Sequence, residues 1–213
     1  MAGDADEHFP DDDELEAWIE ADLAADRDAA DLLRDALAFA RGRPAPAGEL
    51  SAAASALRAS IVAGAYPADW LAQGAGFGSS PPDRDEELVL EAVHATIAPR
   101  EQTGLPDDEE SLLLSMERAD WLGSIVELVR KGRGASAAPA DLVRAIAACP
   151  EIEVAEDWDP EDDALTEATF ELVSEPWRLA GVIDLDDRLT ELGAWALPRG
   201  LARAWGSDFD ADA

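Results

Sequence analysis

The stretch ADWLGSIVELVRKGRGASAAPADLVRAIAACPEIEVAEDWDPEDDALTEATFELVSEPWRLAGVIDLDDRLTELGAWALPRGLARAW, from Ala119 to Trp205, decides the fold. Trp121, Leu122, Ile125, Val126, Leu128 and Val129 give one wide apolar helix face, which Gly132 and Gly134 close. Pro139 suits a first helical turn, where its missing amide costs little; Leu142, Val143, Ile146 and Cys149 then face inward as far as Pro150. A third helix is expected from about Asp163, with Leu165, Ala168, Leu172 and Leu179 in register. Pro176 should kink or divide it, because the ring clashes with the carbonyl four residues earlier. Val182 and Ile183, Asp184 to Arg188, and Leu189 read as a small hairpin with Asp186 and Asp187 at its tip. Thr190 can cap a final helix whose apolar side is Leu192, Trp195, Leu197, Leu201 and Trp205.

The chain before this stretch is also helical in pattern. Asp11 or Asp12 can cap a segment from Leu15 to Ala40, where Trp18, Leu23, Leu32, Leu33 and Leu37 recur largely at helical spacing. Gly42, Pro44 and Pro46 end it. A helix over Glu49–Val62 stops at Gly64, and Tyr66, Pro67, Trp70 and Leu71 make a short turn of helix with two aromatics to bury. Residues 74–82 read as a loop. Leu88, Val89, Ala92, Val93 and Ile97 form the buried side of the next helix, and Leu112, Leu113 and Met116 that of another running into Trp121.

The end of the chain resembles a winged-helix domain, in which a helix ending in leucine and glycine leads to a short wing and a Leu-Thr-x-x-Gly step. Here those residues are Leu179, Gly181, Leu189, Thr190 and Gly193. The fold class expected is mainly α: a helical N-terminal half and a winged-helix-like three-helix core with a short β-hairpin wing. The divisions expected are a disordered acidic arm over 1–12, a helical region over 13–106, the winged-helix-like region over 107–206 and an acidic tail over 207–213. The resemblance implies DNA binding through the third helix and the wing. Between Glu151 and Glu175, however, stand 11 carboxylates and no Lys or Arg, a surface that repels phosphate. Winged helices also serve as protein docking modules, a use that suits these charges better.

Composition points the same way. With 48 Asp and Glu against 16 Lys and Arg, the formal net charge of -32 repels nucleic acid and anionic membrane unless the cations gather on one face. GC-rich coding and adaptation to a salty cytoplasm both fit this bias. An apolar content of 47% suffices for one sizeable core or two small ones. No apolar run approaches a membrane span, and the acidic opening lacks the pattern of a secretory signal, so a cytoplasmic location is expected.

The one local basic cluster is Arg130, Lys131 and Arg133, to which Arg188, Arg199 and Arg203 could add. It reads as a phosphate contact or, more simply, as cations favoured at a helix C-terminus. Glycines 74, 76 and 78 lack the Lys and Ser/Thr of a phosphate loop. Asp157, Asp159, Glu161 and Asp163 alternate like calcium ligands, but Ala164 and Phe170 stand where the loop glycine and closing glutamate belong. The lone Cys149 excludes an internal disulfide, and neither His8 nor His94 has a catalytic motif around it. No catalytic residue, cofactor or metal is expected. Trp158, isolated in an acidic run, and Trp195 and Trp205 on the last helix are the candidate anchors for a protein partner. The alternatives are a winged-helix transcription regulator that touches DNA with Arg130, Lys131, Arg133 and Arg188, or an enzyme built from distant carboxylates and His94.

Overall fold

The computed structural model describes residues 27–40, 43–76, 81–97, 105, 107–155 and 158–209, with side chains as far as Trp205. The expected arm over 1–12, Trp18, His8, Gly78, Asp157 and the end of the tail lie outside these residues. The helices are α1 (residues 27–40), α2 (Ala47–Ala63), α3 (Ala68–Gly74), α4 (Asp85–Ile97), α5 (Asp107–Ser115), α6 (Arg118–Lys131), α7 (Pro139–Ala148), α8 (Ala164–Leu179) and α9 (Glu191–Phe209). The protein is mainly α, and no β-strand occurs among the described residues. None of the helices among them is long and apolar enough to cross a membrane.

Several local expectations hold. The inward faces of α4, α6 and α7 are buried as their periodicity indicates. Gly64, in the left-handed conformation at φ 59°, ends α2. Thr190 caps α9: its hydroxyl oxygen accepts from the Gly193 amide at 2.8 Å, while Glu49 of α2 accepts from the Leu192 amide at 3.0 Å.

Other expectations need correction. The helix before Trp121 does not run through: Glu117 opens α6 with a capping box in which its amide donates to Asp120 Oδ2 at 2.9 Å. Gly74 belongs to α3, and of its two neighbouring aromatics Trp70 is buried whereas Tyr66 stays 48% exposed. Pro176 does not divide α8, which continues to Leu179. The buried face of α8 is also rotated from the expected one. Phe170, Val173 and Trp177 take the interior, because the bulkier aromatics bury more area, and Leu165 is left 54% exposed.

Between α8 and α9 the chain reverses through Asp184–Arg188, where Asp184 Oδ1 accepts from the amides of Asp186 and Arg188, each at 2.9 Å. Isolated antiparallel bridges join Ile183 to Leu189 and Ser136 to Arg188, so the reversal is tied to the α6–α7 connection. One continuous core runs from Ala29 to Leu201 and draws on residues from both halves of the chain. Trp121 meets Phe170 edge to face at 5.6 Å inside it. A satellite cluster seats Leu32 and Ala36 of α1 on Val126 and Cys149.

Candidate functional site

The α7–α8 connection carries the acidic run and has no helix or strand among its described residues, yet it is held at defined points. Pro150 cannot continue α7, and Ile152 turns back with its amide donating to the Cys149 carbonyl at 3.2 Å. At the other end Asp163 caps α8, its Oδ1 accepting from the Thr166 amide at 3.1 Å. The same carboxylate accepts from Trp158 Nε1 through Oδ2 at 3.0 Å. One aspartate therefore starts the helix and pins the indole.

Around Trp158 opens a cleft of about 400 Å³. Ile146, Ile152, Val154 and Trp158 supply its apolar lining. Glu117, Asp120, Glu153 and Asp163 supply its charge, and no Lys or Arg lines it among the described residues. Val154 is 40% exposed, and the exposed Leu114 and Leu165 are next in sequence to the lining residues Ser115 and Thr166. Burial raises the pKa of Asp120 above its ordinary value, against the lowering effect of the Glu117 amide. Burial also works to raise that of Asp163, but hydrogen bonds from Thr166 and Trp158 outweigh it and hold the carboxyl low.

Trp158 is itself partly buried against the core, and the two other anchor candidates lie on α9. Trp195 is buried in the core, with the Arg199 guanidinium 4.7 Å above its ring. Trp205 is partly buried against the same core, and its Nε1 has no hydrogen-bond partner among the described residues.

The cations of the basic corner are largely engaged by the protein's own carboxylates. Arg130 reaches Glu151 at 2.6 Å and Glu127 at 2.7 Å, and Arg133 reaches Glu191 at 2.6 Å. Arg188 makes one long contact to the Gly134 carbonyl at 3.5 Å, and Lys131 is exposed. Arg203 pairs with Glu91 and Glu87 on α4, while Arg199 lies over Trp195. Arg130, Arg133 and Arg203 thus pair with carboxylates of the same chain.

The third helix of the resemblance, α8, packs against α7 and also against α5, α4, α3 and α2. Thr169 Oγ1 donates to the Leu112 carbonyl of α5 at 3.0 Å, and Trp177 Nε1 donates to Thr96 Oγ1 of α4 at 2.8 Å. Its exposed positions include Ala164, Leu165, Glu171 and Glu175. Its one cation, Arg178, is bound to Asp187 of the reversal at 2.5 Å.

Glu127, Cys149 and Glu151 bring one ligand atom each within 4.8 Å of one another. Arg130 already bridges both carboxylates, so a metal would have to displace it. Burial pushes the Cys149 thiol up to about 11, which suppresses its thiolate. His94 lies on α4 with Nδ1 4.0 Å from Glu91 and does not line the cleft at Trp158.

Trp158 was the site residue that the sequence singled out by its surroundings; Asp120 and Ile152 were not, and Asp163 stood out only as the start of the third helix and in the calcium-like alternation. No protein-family model, curated protein or solved structure matches the chain.

Proposed function

We propose that this chain is a non-enzymatic cytoplasmic docking module that holds a protein partner in the cleft at Trp158. The observation that carries the proposal is an indole fixed by Asp163 beside Ile146, Ile152 and Val154 in an open cleft. An aromatic with restricted rotamers and an apolar surround is the kind of anchor on which interfaces concentrate their affinity.

The order of α6, α7, α8, reversal and α9, with the bridges at Ser136 and Ile183, supports a winged-helix-like reading of this half. Use of that unit on a duplex is disfavoured on two grounds. Helix α8 is enclosed by five others and turns Glu171 and Glu175 to solvent, and Arg130 and Arg133 are held by internal carboxylates. Phosphate contacts by Arg130 or Arg133 would compete with those pairs.

The test is an affinity capture from native cytoplasm at matched ionic strength, with wild type and Trp158→Ala, with and without nuclease. Proteins retained by wild type, lost with the variant and indifferent to nuclease are the expected result. Capture that disappears on nuclease treatment, or that ignores Trp158→Ala, sinks the proposal.

A further inference from the structure

We infer that the segment taken up by the Trp158 cleft is cationic, an arginine or lysine flanked by aliphatic side chains; this rests on the docking reading above. Charge complementarity favours such a segment, because this cleft differs from the others in its charge. The cleft beside Phe39 contains Arg130, that beside Trp195 contains Arg43 and Arg133, and that beside Tyr66 contains Arg178. Among the described residues, the Trp158 cleft alone of these four combines four carboxylates with no cation.

Its charges are also not free to leave. Asp120 is tied into the capping box of α6 and Asp163 into the cap of α8, so both stay in the cleft whatever enters it. Asp120 is partly desolvated there, and an incoming cation would offset that burial. The apolar wall of Ile152 and Val154 suits the methylene stem and an aliphatic neighbour, and arginine adds a flat group able to stack on an indole. A second copy of this chain, itself at -32, is a poor occupant because the two surfaces repel.

Three labelled peptides of equal length distinguish the possibilities: an arginine–leucine, a glutamine–leucine and a glutamate–leucine sequence, each titrated against the full chain by fluorescence anisotropy. The arginine peptide should bind, and less tightly as salt rises. Trp158→Ala should weaken it about thirtyfold. Glu153→Lys, at an exposed lining position, should weaken it too and admit the glutamate peptide, while the matched charge change Asp28→Lys on α1 should do neither. Circular dichroism checks that each variant folds. Trp158-dependent binding of the neutral or acidic peptide, equal to that of the arginine peptide, overturns the cationic inference but leaves the docking reading standing. Arginine-peptide binding that Asp28→Lys weakens as much as Glu153→Lys reports the net charge alone and overturns the site.

Discussion

Asp163 joins two roles in one side chain, the cap of α8 and the acceptor for Trp158. Asp163→Ala should therefore lower stability by about 1 kcal/mol through the lost cap, and should also release the indole. The second effect is checked by faster exchange of the Trp158 Nε1 proton in NMR spectra. Asp163→Asn should restore most of the cap but not its response to acid. The reason is the sign of the shift: a carboxyl held low in the fold contributes fully above its unfolded pKa, and that contribution is lost as pH falls through the folded value. Little of this was legible beforehand. Trp158 stood out because nothing apolar surrounded it in sequence, whereas the pairing of an indole with a helix cap five residues later follows no helical period. The same holds for Arg130 in the last turn of α6 and Arg133 just beyond it, whose carboxylates Glu151 and Glu191 come from other elements.

At the scale of elements, the Leu-Thr-x-x-Gly step has a direct physical basis. A Cβ on Gly193 would lie 2.1 Å from the Val182 carbonyl oxygen and 2.7 Å from Leu189 Cδ1. Glycine is what lets the reversal close against the first turn of α9, where Thr190 also accepts the Gly193 amide. Gly193→Ala should push the two apart and reduce stability by roughly 1–3 kcal/mol, measured by chemical denaturation. Helices with one strong apolar stripe were readable from period alone, as α6 and α7 demonstrate. Helix α8 was not, because it meets partners on more than one side, and the register through Leu165, Ala168, Leu172 and Leu179 passed over Phe170. The break between α5 and α6 escaped notice for a different reason: its box pairs Glu117 with Asp120 instead of starting from serine or threonine.

For the whole molecule, a net charge of -32 places self-repulsion against a single shared core. Added neutral salt should raise the melting temperature at neutral pH by screening that repulsion. Acid should act in two stages at low salt. Protonation of ordinary surface carboxylates first relieves repulsion and stabilises. Stability then falls as pH drops through the depressed values of Glu87 and Glu151, held low by Arg203 and Arg130, and of Asp141, held low by Ser136 and Arg144. Calorimetry across pH at two salt concentrations checks this; a melting temperature that declines steadily from neutral pH at low salt would contradict it. Taken by itself, the sequence determined the helical class, the stops of α2, α6 and α7, the cap of α9 and the acidic character, because periodicity, capping and charge are properties of neighbours along the chain. Only the tertiary structure decided that α2 to α5 enclose α8, that arginines of the basic corner answer to distant carboxylates, and that Trp158 borders a cleft. Those outcomes depend on which faces meet, and that is settled by packing many elements into one volume.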